Sequence, residues 1–296
     1  MKKQKSKRYR PPAPPELEKD AHKGDAGRVL GFVGSRLYPG AATLFARAAQ
    51  RAGAGLVTLG CLDEGLLATV PIAAPEAVYL DLFGPADVER AHVAELLAAR
   101  GEHALVVGCG LGGGERARAL VASVLSSGAE VPLVVDADGL NALGAEPERL
   151  RAYAGPIVIT PHPGEASRLL GRVVPKHDEE RAKAAQELAQ RSGAIVCLKG
   201  HRTVVTDGRT LYVNDSGNPG MATAGAGDVL AGILGAYLAA CVTCRTTTWK
   251  PFDAAASAVH VHGAAGDLAA KELGRRGLVA SDLITFLPAA QRRLRS

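Results

Sequence analysis

The sequence predicts a three-layer, doubly wound α/β fold with a mostly parallel central sheet. Three observations carry this. Short apolar runs rich in β-branched residues recur along the chain, amphipathic helical stretches separate them, and 35 glycines with few aromatics imply many tight turns and backbone-lined sites. The runs fall at residues 28–34, 55–61, 104–108, 132–138, 156–160 and 194–200. Continuous rather than alternating apolarity is what a strand needs when both faces of a parallel sheet are covered. Helical stretches follow at 41–53, 88–100, 115–125 and 179–193, the last closed by Gly193. Residues 203–208 and 210–215 read as a hairpin at one edge of the sheet, with Asp207-Gly208 in the turn. A helix-rich final third completes the domain. No internal repeat and no linker after residue 20 interrupt it.

Composition narrows the class. A chain of 296 residues with 47% hydrophobic and 22% charged residues can bury a large core, as one large domain or two small ones. The net charge of +5 is concentrated in Lys2, Lys3, Lys5, Lys7, Arg8 and Arg10, and without them the chain is about neutral. No basic face therefore points to nucleic acid. The expected division is a disordered basic and Pro-rich tail over 1–20, then one domain over 21–296. A tether to RNA or a membrane surface is the rival reading of the tail. No apolar run is long enough to span a bilayer and no signal-peptide core opens the chain, so no membrane role and a cytoplasmic location are expected. Cys61, Cys109 and Cys197 lie in strand-like runs, where cysteine acts as a small hydrophobe. Cys241 and Cys244 form a lone C-x-x-C with no second pair to complete a zinc site.

Ligands in such sheets bind beyond the carboxyl ends of the strands, and the distinctive residues fall there. The strongest signal is the segment 217–232, GNPGMATAGAGDVLAG. Gly225, Ala226 and Gly227 lack bulk, so a phosphate can approach the backbone, and the helix that follows offers its unpaired N–H groups as an anion site. Asp228, in its first turn, is placed to accept the proton of an attacking hydroxyl. A helix-start acid favoured by the dipole is the alternative.

Thr160-Pro161-His162-Pro163-Gly164-Glu165 leaves a strand in extended form and presents His162 and Glu165 on the ligand side. Glu165 can hold a magnesium ion through water, or serve only as an N-terminal helix charge. Lys199-Gly200-His201-Arg202-Thr203 ends another buried strand and offers an ammonium and a hydroxyl to a nucleotide phosphate. Gly108-Cys109-Gly110-Leu111-Gly112-Gly113 fits a dinucleotide fingerprint, with Asp136 some way beyond, but on a middle strand; a glycine-lined wall is the competing reading. Asp136 and Asp138 end a strand and, by alternation, point the same way, toward magnesium or substrate; Asp138 as a helix cap is the rival.

In this order, HKGDAGRVL (22–30), PGAA (39–42), RAGAGLV (51–57), VVGCGLG (106–112), VVDADGLNAL, ITPHPGE, LKGHRT and GNPGMATAGAGDVLAG resemble the NAD(P)H-hydrate dehydratases over roughly residues 20 to 290. The resemblance implies a ribokinase-like fold and a reaction in which hydrated NADH or NADPH (NADHX, NADPHX) and ADP, or ATP in some members, give the repaired dinucleotide, AMP or ADP, and phosphate. It implies magnesium, a homo-oligomer, often a tetramer, and an NAD(P)HX epimerase supplied by a separate protein. Carried over by residue, Asp228 is the base at the hydrate, and Ala42, Gly110 and His162 line the hydrate site. Lys199, Gly200, His201, Arg202, Thr203, Gly225, Ala226 and Gly227 contact the adenine nucleotide. ADP is favoured over ATP because the motifs look bacterial. Two positions depart from the family pattern: AGAGD stands for GGTGD, which removes a hydroxyl at Ala226, and Gly108-Cys109-Gly110 replaces a proline-containing turn. Three other functions fit parts of the chain: a small-molecule kinase of the same superfamily, an NAD-dependent dehydrogenase built on the Gly108 loop, and a nucleotide-binding regulator.

Overall fold

The computed structural model describes residues 9–175, 177–244 and 249–295. The chain runs β1 (Arg28–Phe32), α1 (Pro39–Ala52), β2 (Leu56–Cys61), α2 (Gly65–Ala73), β3 (Val78–Asp81), α3 (Arg90–Arg100), β4 (Ala104–Val107), α4 (Glu115–Leu125), β5 (Leu133–Val135), α5 (Asp138–Asn141), β6 (Ile157–Ile159), α6 (Pro163–Leu170) and α7 (Asp178–Ser192). It continues through β7 (Ile195–Leu198), β8 (Val204–Thr206), β9 (Leu211–Val213), α8 (Ala226–Thr243), α9 (Pro251–Leu273) and α10 (Ala280–Arg295). The sheet order is β3-β2-β1-β4-β5-β6-β7-β8-β9. Strands β1 to β7 pair in parallel, and β8 and β9 close the edge antiparallel. The expected hairpin sits at that edge, and the six apolar runs are all strands.

Each face of the sheet has its own core. Phe45 of α1, Leu234 of α8 and Leu283 of α10 share one core with Val29 and Val106. Leu120 of α4 and Leu188 of α7 share the other with Leu30 and Leu105. Adjacent strand residues therefore feed opposite cores, and this is why both positions of each pair had to be apolar. Small residues set the spacing on the first face. A Cβ on Gly232 of α8 would lie 2.5 Å from the carbonyl oxygen of Phe45 and 2.8 Å from Ala48 Cβ, so α1 and α8 pack nearly backbone to backbone.

Three expectations change. The apolar-run criterion overlooks β3, a short edge strand with both of its end residues exposed, because its partial burial leaves no continuous run. Within the tail expected to be disordered over 1–20, residues 9–15 lie against the domain and 16–20 are exposed; residues 1–8 lie outside the described residues. Tyr9 stacks edge-on against Phe252 at 5.1 Å and Tyr212 at 6.0 Å and donates its hydroxyl to Asp253. The Pro-rich stretch continues along α9 and α10, its Pro12 carbonyl accepting from Ser257 Oγ at 2.6 Å and its Pro14 carbonyl from Arg295 at 3.2 Å. Finally, α8 is long and apolar enough to cross a membrane by length and composition, with 18 residues and a mean hydropathy of 1.6. It is instead the central helix of the first core, and 67% of it is buried inside the fold.

Candidate active site

The carboxyl ends of β4, β5, β6 and β7 converge on the N-terminus of α8. Gly225, at φ +87, starts that helix in the left-handed region, and a Cβ there would meet Leu44 Cδ1 at 2.4 Å. The turn leaves the N–H groups of Gly227 and Asp228 without intrahelical acceptors, an anion site with the helix dipole behind it. Gly227 lies beside the buried charges: a Cβ there would stand in ordinary contact, 3.5 Å from Lys199 Nζ and 3.8 Å from Asp136 Oδ2.

Behind the turn lies a buried charge cluster. Asp136, 2% exposed, accepts from Lys199 Nζ at 2.8 Å and Thr160 Oγ1 at 2.5 Å on one oxygen, and from the Cys109 thiol at 3.4 Å on the other. Burial opposes the Lys199 charge, but Asp136 and Glu165 outweigh it and raise its pKa. Asp228 is half-buried. Burial first, and then the neighbouring Asp136, lift its pKa from 3.8 to about 6, against the pull of Lys199 and the Cys109 thiol. A carboxylate poised there is a competent proton acceptor near neutrality.

Cys109 Sγ, Asp136 and Asp228 offer three possible metal-ligand atoms within 4.8 Å of one another. Burial raises the thiol pKa well above its usual value and keeps it protonated, and Asp136 already has its cation in Lys199. Cys109, Asp136, Lys199 and Asp228 thus form one buried cluster of linked polar and charged groups. Cys241 and Cys244 are both half-buried, and burial raises the Cys241 thiol pKa to about 12.

Asp136 and Asp138 do not follow strand alternation. β5 ends at Val135, and Ala137 turns at φ 46, a conformation that costs a non-glycine residue about 1–3 kcal/mol. Asp138 then sits in the first turn of α5, not at its cap, and accepts the Gly112 N–H at 2.8 Å. That contact also undoes the dinucleotide fingerprint: the glycine loop spends an amide on Asp138, and Asp136 is turned inward to Lys199 rather than out to a ribose.

Ala42 and Gly110 both lie at the start of α1, each against its own neighbours. Gly110, at φ +59, lies against the start of α1, where a Cβ would meet Ala41 Cβ at 2.7 Å and Tyr38 Cβ at 2.8 Å. Ala42 packs at Gly34, whose N–H donates to the Cys109 carbonyl at 2.7 Å. His162 caps α6, its Nδ1 accepting from Gly164 N at 2.9 Å and Glu165 N at 3.2 Å, while its Nε2 stands 3.4 Å from Glu165 Oε1. Glu165 is 5% exposed; one oxygen accepts the His162 N–H at 2.7 Å and stands 3.9 Å from Lys199 Nζ.

On the other side of α8 opens a cavity of about 410 Å³, within the range of small-molecule sites. All five residues of the segment Lys199–Thr203 line it, with Ala226 and Gly227. His262 of α9 lines it too, and no sequence signal had marked it within a long helix. Its ring nitrogen Nε2 lies 2.9 Å from the Ala226 carbonyl; burial lowers its pKa to about 4, so it is neutral and donates there. Asp267, also on α9, holds the 217–221 segment by accepting from Gly217 N at 2.8 Å and Asn218 Nδ2 at 3.0 Å.

Fold and site together define a ribokinase-like α/β protein with a nucleotide-sized cavity on one side of a helix N-terminus and a carboxylate at its tip. A family model described as NAD(P)H-hydrate dehydratase matches residues 29–289. The chain is 39% identical over 277 residues to the ADP-dependent (S)-NAD(P)H-hydrate dehydratase of Neisseria meningitidis serogroup B, covering 92% of this chain and 86% of that one. It is 42% identical over 285 residues to the bifunctional NAD(P)H-hydrate repair enzyme Nnr of Moorella thermoacetica, covering 95% of this chain and 52% of the relative. This chain therefore spans about half the length of the bifunctional relatives it matches. The crystal structure of the ADP/ATP-dependent NAD(P)H-hydrate dehydratase from Bacillus subtilis, co-crystallized with ATP/Mg2+, superposes with a TM-score of 0.78 at 30% identity, covering 95% of each chain. The chain belongs to the NAD(P)H-hydrate dehydratase family.

Proposed function

We propose that this protein is an ADP-dependent (S)-NAD(P)H-hydrate dehydratase, a lyase that restores hydrated NADH and NADPH while converting ADP to AMP and phosphate. One observation carries the reading above all: Asp228, its pKa lifted to about 6, sits in the first turn of α8, whose opening residues Ala226 and Gly227 line the cavity together with Lys199–Thr203. A nucleotide on one side and a hydroxyl-bearing substrate on the other would meet at that carboxylate.

The chemistry follows. Hydroxide is a poor leaving group, so the ring hydrate is stable. Asp228 accepts the proton of the C6 hydroxyl as its oxygen bonds to the terminal phosphorus of ADP and the bond to AMP breaks. The Gly227 and Asp228 amides and Lys199 stabilise the charge that develops on the phosphoryl oxygens. The ring nitrogen then expels phosphate from C6, and loss of the neighbouring ring proton restores the dihydropyridine. Positioning and electrostatics are the protein's contribution.

A divalent magnesium ion fits one place in this donor set. Glu165 is a hard oxygen donor beside Lys199; its Oε2 accepts at the helix cap and its Oε1 stands 3.4 Å from His162 Nε2, so a metal-bound water there would share Oε1 with that imidazole. Magnesium arriving with the nucleotide would neutralise phosphate charge there. The same reading places the protein in the cytoplasm, as a homo-oligomer, a tetramer, paired with a separate NAD(P)H-hydrate epimerase. No nucleic acid or membrane enters it.

The superfamily alternative, a small-molecule kinase, uses the same helix tip but leaves a stable phosphorylated product. Chromatography of the nucleotides separates the two. The dehydratase forms AMP and free phosphate in proportion to repaired dinucleotide and only when the hydrate is present; a phosphate ester that persists would overturn this assignment.

A further inference from the structure

Beneath the nucleotide segment lies a charged side chain that touches no cavity. Arg181, on α7, is 3% exposed, yet its guanidinium reaches three carbonyls at the end of β7 and in the loop after it. It donates to the His201 carbonyl at 2.5 Å, and to the Leu198 and Lys199 carbonyls at 3.3 Å each. Asp178 stands 3.6 Å from Arg181 and 3.2 Å from Arg202, tying the clamp to the loop's outer arm. Burial of a guanidinium is costly, and Arg181 Nε has no partner among the described residues, so a stability role alone accounts poorly for its place.

The peptide geometry shows what the clamp does. In a trans peptide the N–H points opposite to its carbonyl. Three carbonyls turned down to Arg181 therefore turn three N–H groups away from it. The first, of Lys199, is taken by the Pro161 carbonyl at 2.8 Å. The other two, of Gly200 and Arg202, have no acceptor among the described residues, and both residues line the cavity. The backbone accepts unusual angles to hold this arrangement. Gly200 sits at φ +142, where a Cβ would come 2.9 Å from the guanidinium, and Arg202 sits at φ 55.

We propose that Arg181 is the positioning residue of the nucleotide site, fixing the Gly200 and Arg202 amides outward as a pair of backbone donors for the acceptor atoms of ADP. The proposal rests on the nucleotide reading of the cavity and adds the donors and the group that aims them. Losing the clamp frees both peptides to rotate, and misplacement on this scale weakens binding without touching the ligand.

The test has two arms, both with ADP and magnesium as the probe. In the wild-type protein, amide resonances of Gly200 and Arg202 shift on titration with ADP, and their hydrogen exchange slows. In Arg181→Met the Kd for ADP rises about tenfold while KM for the hydrate stays within about twofold, and Arg181→Lys, which can hold fewer carbonyls, falls between. Unchanged ADP affinity in a cooperatively folding Arg181→Met would overturn the proposal. So would wild-type amides indifferent to saturating ADP, a result that stands even where the variant does not fold. Amides that respond to ADP in a protein that forms no AMP from the hydrate would uphold the clamp and refute the dehydratase reading instead.

Discussion

Lys199 Nζ and Asp136 Oδ1 form a buried ion pair at 2.8 Å, directly behind the helix turn that carries Asp228. The pair joins the ends of β5 and β7 and sets the charge that Asp228 feels. Asp136 is buried with no other cation within bonding distance among the described residues, so Lys199→Met leaves an uncompensated carboxylate. Such losses cost about 3–5 kcal/mol. Chemical denaturation of the variant measures this, and a loss below about 1 kcal/mol would mean that the pair is not the anchor described.

Asp228→Asn keeps the shape and the helix-tip amides but cannot accept a proton. ADP affinity then stays within about threefold of wild type, while kcat falls by about two to four orders of magnitude. Calorimetric titration and initial rates check the two halves separately. Near-normal turnover would remove the base from Asp228.

The acid limb of kcat/KM reports the same group. Asp228 must be ionised to act, and its pKa is about 6, so activity falls as the pH drops below that value. Asp136→Asn removes a like charge and moves the limb to lower pH. The sign for stability is the reverse. The folded pKa lies above the ordinary 3.8, so the fold favours the protonated form; that contribution is complete below 3.8 and is lost as pH rises through about 6. Asp228→Asn is therefore more stable than wild type at neutral pH, by about 1–3 kcal/mol, and thermal melts at two pH values test it.

Gly110→Ala probes the hydrate wall. The residue is left-handed, and its new Cβ would strike Ala41 and Tyr38 at 2.7 and 2.8 Å. A conformational cost of about 1–2 kcal/mol joins the displacement of the start of α1. KM for the hydrate rises while KM for ADP holds, and a matched rise in both would show that the two subsites are not separate.

Much of this was legible in the sequence because parallel strands advertise themselves. β1, β2, β4, β5, β6 and β7 are buried on both faces, and continuous apolarity marks each of them. The edge strand β3 and the short helix α2 carry no such signature. The site residues that announced themselves, Asp228, Lys199, Gly110 and Glu165, sit just after strands or at helix starts, where glycine and proline punctuate the chain. Those that did not are defined by three-dimensional approach. His262 lies within an unbroken helix, Cys109 reads as a core hydrophobe until it meets Asp136, and Arg181 looks like one more helix-surface arginine. The Pro-rich segment misled for a related reason: its composition suits disorder, and only the aromatic pocket formed by Tyr212 and Phe252 explains why Tyr9 is held.

The central claim is repair of the hydrated dinucleotide at the expense of a nucleotide, and the near-ultraviolet absorbance of reduced nicotinamide reads it directly. Purified protein is mixed with NADH hydrate and magnesium, with ADP, with ATP or with neither. The account predicts a rise in absorbance that requires a nucleotide, is fastest with ADP and is abolished by Asp228→Asn. No rise with either nucleotide, from folded protein that still binds ADP, would contradict it and leave the kinase alternative in its place.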